Sequence, residues 1–579
     1  MIDFDSLLKD VVKVETCSVI SYDDAVLLPY NFHKNGIVWE IQTEVFSKGK
    51  NRDVRFYLSL PLDLPDDFPI IFINEDDYNE IKYIPHIDEN HLICIFDKGR
   101  NLVMQKDNLS DFILFIISKA KKLINDAEDE NYKAQEFQRE FKAYWELRYS
   151  KDDIISSSGL QSISGNADIK AVHFSQPLIG YEYFLYDDEN DLKKIKQFAT
   201  SLGIKCEEAG VVLIDKKFEE PPFDVNFLES FELIKKTESA YEEFKKLIST
   251  YPPDSVIVVF RNTVGNTQEY YGWTYKNAKM LPRKLSGIRA NSQLEYLKNP
   301  LVASSNVLRL TFENLNLERL QIRTSGYIET QKSIVLSGVG SIGSNLLFWL
   351  KNLPINKFHF IDDESLSIEN IKRHFLGFSM IAQKKAEAAA TQMVYDFPLA
   401  DVAVKIESVK DVVNNSVEFI NECDYHIVAI GSSMIEEFIL NNLISGKLTK
   451  PTIIFWVEPY LASGQMLFIK PEDAEKALKL IQAENYPFSV LKNTSEQSDK
   501  AYLIEGSCQT GYFPYSSSNV VHFLSAIFPI LKEYILGKKD ASAVYSWIGD
   551  KDLINDRQLL ISTFAEQNES FSLIENNIK

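Results

Sequence analysis

A chain of 579 residues is too long for one hydrophobic core, and a formal net charge of −21 excludes non-specific binding to nucleic acid or anionic membrane, both of which would repel it. An apolar content of 45%, with no apolar run near the roughly 20 residues of a membrane span, describes a globular protein of about three or four domains. Five cysteines, odd in number and widely spaced, exclude a disulfide framework, and the lack of a C-x-x-C pair excludes a zinc ribbon.

The opening MIDFDSLLKD is acidic and lacks the basic start and apolar core of a secretory signal, so the expected location is cytoplasmic. Residues 1–150 read as one unit. Ile37–Phe46 and Val54–Leu60 have the pattern of strands, and a proline-rich passage follows from Pro61 to Pro69. Ile84-Pro85-His86-Ile87-Asp88-Glu89-Asn90-His91-Leu92-Ile93-Cys94 reads as a loop. Leu109–Ile124 and a polar stretch ending near Trp145 read as helices. Cys94 has two readings: a small buried hydrophobe beside Leu92 and Ile93, or a partly exposed thiol with His86, His91 and Lys98 nearby. This order of strands, cysteine loop and helices resembles the ubiquitin-conjugating fold. Members place a Pro-His or His-Pro pair shortly before the active cysteine, and Pro85-His86 with Ile93-Cys94 follow that order. The resemblance implies that Cys94 is a conjugating thiol. Pro85-His86-Ile87 departs from the eukaryotic His-Pro-Asn, which leaves the oxyanion-stabilising group open.

Residues 151–168, KDDIISSSGLQSISGNAD, are expected to be a linker from their Ser/Gly/Asp composition. From 169 to 325, apolar runs (Ala171–Phe174, Val211–Asp215, Ser255–Phe260, Val307–Phe312) alternate with charged helical stretches such as Phe231–Ile248. This predicts an α/β segment with no chemical signature of its own. His173 and Cys206 within it are expected to be packing residues.

Residues 326–579 carry the chemistry. Ile334-Val335-Leu336 reads as a buried strand running into Gly338-Val339-Gly340-Ser341-Ile342-Gly343, and Leu346, Leu347 and Leu350 recur at helical spacing. A second strand, Phe358–Ile361, ends at Asp362. That is the order of a nucleotide-binding β-α-β unit, in which glycines permit a tight turn and the helix N-terminus faces phosphate. Beyond it stand Asp362-Asp363-Glu364, Asn370, Arg373, His374 and Lys385, a set that suits a triphosphate better than a dinucleotide. Arg373 and Lys385 would neutralise phosphate charge, and Glu364 or Asp363 would hold a metal ion. The run resembles the adenylating domain of ubiquitin-activating enzymes and their ThiF/MoeB relatives. The resemblance implies ATP and Mg2+ as cofactors, with Gly338, Gly340 and Gly343 in the phosphate turn, Asp362 on the ribose, Asn370 orienting the phosphates and Glu364 toward the metal. The family usually ends the next strand with Ala-Thr-Asp, whereas in this chain the strand His426–Ile430 runs out through Ala429-Ile430-Gly431. Activating enzymes commonly pair an active adenylation half with a degenerate one, and residues 169–325 occupy that slot.

Cys508 lies in a glycine-flanked loop, Glu505 to Ser516, before an apolar helical stretch from Asn519 to Leu536, predicted to kink at Pro529. The setting favours an exposed thiol able to reach an adenylate, unlike Cys17 and Cys423, which sit among core patterns. The stretch from about Ser562 is expected to be loosely held. The fold class is α/β and α+β multidomain, with an N-terminal ubiquitin-conjugating-like domain and a C-terminal Rossmann-like ThiF adenylation domain.

Together these parts resemble the fused ubiquitin-conjugating and ubiquitin-activating proteins of bacterial anti-phage operons, the type II CBASS systems. The resemblance implies catalysis through Arg373, Cys508 and Cys94. A partner's C-terminal carboxylate, that of a cyclic-oligonucleotide synthase, would be adenylated, carried as thioesters on Cys508 and then Cys94, and joined to a target amine. It also implies a homodimer. Two alternatives stay open: a ThiF/MoeB-type sulfur-carrier adenylyltransferase, and a non-catalytic nucleotide-binding scaffold.

Overall fold

A computed structural model describes residues 3–64, 66–81, 84–88, 90–95, 108–146, 156–165, 168–214, 225–251, 255–264, 267–275, 307–483, 486–492, 501–505 and 511–578. The chain divides into two compact units, Met1–Glu189 with Ile204–Asn316, and Asn190–Gly203 with Leu317–Lys579.

The first unit opens with four antiparallel strands in the order β1 (Thr16–Ile20), β2 (Ile37–Ser47), β3 (Lys50–Leu60) and β4 (Ile70–Ile73). Trp39, Ile41, Thr43 and Val45 are buried along β2 while Gln42, Glu44 and Phe46 are exposed, the period of a sheet with one covered face. The cover is the helix Leu109–Asp126, which buries Ile113, Ile116, Ile117, Ala120 and Ile124 at helical spacing. Lys48 and Gly49, both at positive φ, turn β2 into β3 in two residues.

The expected α/β layer is a closed barrel. Strands β5 (Ser156–Ser162), β6 (Lys170–Leu178), β7 (Tyr181–Tyr186), β8 (Cys206–Ile214), β9 (Val256–Val264), β10 (Thr267–Thr274) and β11 (Leu308–Asn314) close in the order β10-β11-β5-β7-β6-β8-β9. That differs from the open sheet of a degenerate adenylation half. Much of the expected linker, the serine-rich Ser156–Ser162, is β5, paired to β11 on one side and β7 on the other. Its glycine has a packing cause: a Cβ on Gly159 would lie 2.5 Å from the Phe312 ring. Ile257 and Val259 face one core, while Val256, Val258 and Phe260 face another, covered by the helices Phe227–Lys235 and Glu238–Thr250. Phe141 and Trp145, at the end of the N-terminal segment, belong to that second core, and Trp145 Nε1 donates to Leu310 O at 3.0 Å. The predicted helix Phe231–Ile248 is these two helices, broken after Lys235.

The second unit is built on an eight-stranded sheet. Its strands are β12 (Lys332–Ser337), β13 (Ile355–Ile361), β14 (Asp401–Lys405), β15 (Tyr425–Val428), β16 (Thr452–Val457), β17 (Ser463–Ile469), β20 (Ala543–Ile548) and β21 (Leu573–Asn577). A two-stranded ribbon, β18 (Leu503–Ile504) with β19 (Gly511–Tyr512), stands apart from them. The sheet order is β14-β13-β12-β15-β16-β17-β20-β21, parallel through β16 and antiparallel after it. Ile334 and Leu336 pack under the helices Ser341–Leu350 and Ser517–Ile535, and Val335 packs on the opposite face against Ile439 and Leu443. Burial on both faces is why β12 reads as an unbroken apolar run. The helix Ser517–Ile535 continues through Pro529. The tail, expected to be loose, forms the short helix Thr563–Glu566 and β21, which pairs with β20. Among the described residues no helix is long and apolar enough to cross a membrane.

Candidate functional site

The chain crosses from β12 to β13 on one side of the sheet and returns from β14 to β15 on the other. This opens a crevice beyond the C-terminal ends of β12 and β15, the position where doubly wound sheets bind ligands. The glycine turn fills its floor. Gly338 has φ +87°, and a Cβ there would lie 2.7 Å from Ile430 Cγ1 and 2.8 Å from Ala429 O. A Cβ on Gly343 would lie 2.0 Å from Gly338 O, whereas one on Gly340 would meet nothing within 4 Å. Gly338 and Gly343 are therefore required by the turn itself, and Gly340 leaves space above it. Gly340 caps the helix Ser341–Leu350 without a side-chain hydrogen bond, so the first helical amides stay open toward that space.

A cavity of about 850 Å³ occupies the crevice. One end is lined by Gly340, Ser341, Glu364, Asn370, Arg373 and Lys385, the other by Trp456, Tyr486, Leu491, Phe513 and Phe564. At the polar end, the Ser341 hydroxyl and the Asn345 amide donate to Arg373 O at 2.7 and 3.0 Å, tying the arginine's backbone to the helix's first turn. Its guanidinium lies 5.5 Å from the centroid of the Tyr515 ring, and among the described residues no carboxylate pairs with it. Lys385 is 5% exposed and donates to Glu364 Oε2 at 2.5 Å. Asn370 Oδ1 accepts from the Ser367 amide and hydroxyl, both at 3.0 Å, which shapes the turn leading to Arg373.

Two groups brace the glycine turn from beneath. Asp362 accepts from Val339 N at 2.7 Å and Glu364 N at 2.9 Å, and burial raises its pKa against those bonds. His374 Nε2 donates to Val339 O at 2.7 Å while its Nδ1 accepts from Leu376 N at 3.1 Å, which assigns the neutral tautomer. Burial, helped by the Lys385 and Arg373 charges, lowers its pKa to about 4.

The apolar end is held by a carboxylate. Glu458 accepts from the Ser489 hydroxyl and from Val490 N and Leu491 N, at 2.5 to 3.1 Å, so a half-buried carboxyl group fixes the loop that forms one wall. Two residues on, Tyr460 takes φ 55° and donates its N–H to Pro514 O at 2.8 Å.

In the first unit, Cys94 is exposed, and its N–H donates to His86 O at 2.7 Å. The isolated bridge Phe72↔Leu92 pins the loop to β4, and the bridge Ile87↔Ile93 closes the loop on itself. His86 does not turn its ring to solvent. Nδ1 lies 2.6 Å from Glu140 and Nε2 3.1 Å from Glu136. Burial lowers the His86 pKa, but these two carboxylates more than offset it and the net shift is upward. By contrast Cys17 and Cys423 have thiol pKa values pushed up to about 12, chiefly by burial.

Residues 315–530 match the family model described as ThiF family, and residues 27–153 match that described as Prokaryotic E2 family B. The chain joins an E2-like domain to a ThiF family domain. The SUMO-activating enzyme subunit uba-2 of Caenorhabditis elegans is 28% identical over 171 residues, which are 29% of this chain and 28% of that protein. Solved structures similar to the chain include selenomethionine PaaA, with 13% identity, TM-score 0.29, and coverage of 43% of this chain and 64% of that one. Another is E. coli MccB with ATP, with 9% identity, TM-score 0.29, and coverage of 45% and 66%. The chain thus spans less than two thirds of the length of each of these relatives.

Within the ThiF domain, the structure brings the predicted Gly338, Gly340, Gly343, Glu364, Asn370, Arg373 and Lys385 to one crevice. Asp362 sits there too, but its carboxylate is committed to the glycine turn. Ala429, Ile430 and Gly431 line the cavity where the family's acid would stand, and among the described residues no group of three or more His, Cys, Asp or Glu could hold a metal. Cys508 lies between β18 and β19 in sequence and outside the described residues, as does Lys98. Sequence reasoning assigned no role to Glu458, Tyr460 or Tyr515. They come from loops distant in sequence and match no motif.

Proposed function

We propose that this chain is an ATP-dependent, ubiquitin-like activating and conjugating enzyme. The observation that carries the reading is the cavity. It offers open helix amides, Arg373 and Lys385 at the switch point of a ThiF domain, in a chain whose E2-like domain exposes Cys94. A partner's C-terminal carboxylate attacks the α-phosphate of ATP and expels pyrophosphate, giving an acyl adenylate. Cys508 attacks that anhydride and releases AMP. Cys94 takes the acyl group by thioester exchange, and a target amine then displaces the Cys94 thiol to form an amide. Dividing the condensation among several acyl carriers replaces one difficult step with easier ones. Gly340, Arg373 and Lys385 stabilise phosphate charge, Asn370 shapes their approach, and Asp362 braces the turn on which the phosphates rest. Magnesium commonly arrives with phosphates and needs one or two protein carboxylates. Glu364 at the cavity rim fits that demand.

The resemblance to type II CBASS proteins supports the finer assignment: an anti-phage ligase, acting as a homodimer, whose partner is a cyclic-oligonucleotide synthase. The test supplies that synthase from the same operon together with ATP. Arg373→Ala abolishes ATP–pyrophosphate exchange, Cys508→Ala loads no thiol, and Cys94→Ala loads Cys508 but forms no conjugate. Conjugation at the wild-type rate by Cys94→Ala would refute the relay, and unchanged exchange in folded Arg373→Ala would refute the adenylation site.

A further inference from the structure

Resting on the reading of Arg373 as a phosphate-binding cation, we propose that Tyr515 is the positioning residue that holds its guanidinium ready for ATP. Arginine has a long side chain, and fixing it over a site costs conformational entropy unless a rigid surface does part of the work. Here the backbone of Arg373 is gripped by Ser341 and Asn345, while the charged group rests at 5.5 Å over the ring of Tyr515. Both side chains line the same cavity.

Tyr515 is itself immobilised from both sides. The carbonyl of Pro514 before it accepts from Tyr460 N at 2.8 Å, and Ser516 after it caps the helix Ser517–Ile535 by accepting from Asn519 N at 3.2 Å. Its ring packs, partly buried, on the core cluster that contains Ile342 and Leu346 of the glycine-turn helix. Tyr460 and Leu461 hold consecutive left-handed conformations, with φ 55° and 51°, to present the N–H that Pro514 receives. Strain of that kind persists where surroundings over-determine it, and it clusters at functional sites. An aromatic face steadies a cation without neutralising it. A carboxylate at the same place would compete with phosphate, whereas the ring leaves the full charge for the ligand.

The experiment measures binding of ATP and of adenosine to the full-length protein by calorimetry, for wild type, Tyr515→Phe, Tyr515→Leu and Arg373→Ala. Tyr515→Leu weakens ATP by about 3- to 30-fold, the span expected for losing a partly desolvated cation–π contact. It leaves adenosine unchanged, because the guanidinium addresses only the phosphates. Tyr515→Phe, which keeps the ring, binds ATP like wild type. Tyr515→Met replaces the leucine variant if thermal unfolding shows that leucine disrupts the domain. Equal weakening of ATP and adenosine would show that Tyr515 merely shapes the cavity and would overturn the proposal. So would unchanged ATP affinity in Tyr515→Leu when Arg373→Ala binds weakly. If Arg373→Ala itself binds ATP normally, the assignment of Arg373 fails and Tyr515 loses its role with it.

Discussion

Three glycines share one turn, yet substituting each by alanine should give two different kinds of outcome. Gly343→Ala places a methyl carbon 2.0 Å from the Gly338 carbonyl oxygen, a backbone atom that moves only if the turn opens. Overpacking of this kind costs about 1–3 kcal/mol, which lowers the unfolding midpoint of a unit this size by about 2–12 °C. Gly338→Ala adds about 1–2 kcal/mol for a left-handed backbone at φ +87° to its contacts with Ile430 and Ala429. Both variants lose stability and ATP affinity together. Gly340→Ala differs, since its Cβ meets nothing within 4 Å and its φ of −77° suits any residue. It should keep the wild-type midpoint, or gain up to about 1 kcal/mol from a stiffer unfolded chain. Its methyl group, however, stands where a phosphate would approach the helix amides, and ATP should bind at least about tenfold more weakly, a loss of about 1.4 kcal/mol. Thermal unfolding and calorimetric titration with ATP read the two quantities separately. Wild-type ATP affinity in Gly340→Ala would show that the ligand does not sit on this helix N-terminus. A wild-type midpoint in Gly343→Ala would show that the turn is not the close-packed cradle described here.

Acid should weaken the ThiF domain through His374. Its pKa is about 4 in the native state against an ordinary value near 6.5, so between those limits the unfolded chain binds the extra proton. Stability is full above about pH 6.5 and is lost as pH falls toward 4, by on the order of 2–3 kcal/mol. Chemical denaturation of His374→Gln, which can still donate to Val339 O, should show a flatter profile over that window; an equally steep one would remove His374 as the cause. Iodoacetamide at pH 8 should modify exposed Cys94 long before buried Cys423 or half-buried Cys17, whose thiols stay protonated there. Peptide mass mapping showing Cys423 alkylated as fast as Cys94 would contradict the packing described.

The β-α-β unit around Gly338 was legible in the sequence because each of its signals is local. Parallel strands buried on both faces are written as apolar runs, a helix repeats its apolar face every three or four residues, and a left-handed turn demands glycine. The same locality made β2, β3 and the helix over Leu109–Asp126 readable, and it brought Asn370, Arg373 and Lys385 into one set by spacing alone. Tertiary structure decided the rest. Ser156–Ser162 reads as a linker by composition but is a barrel strand, because its Gly159 answers Phe312 on β11 and no local pattern records that neighbour. The polar tail becomes an edge strand only because β20 offers it unpaired backbone groups. Asp362 stands where a ribose ligand is expected, yet its carboxylate is turned onto Val339 by a loop geometry that spacing cannot encode. Glu458 meets Val490, and Arg373 meets Tyr515, across intervals with no periodic relation. Periodicity reports what a residue's own element buries; which distant loop arrives to meet it is settled only when the sheet brings those loops to one end.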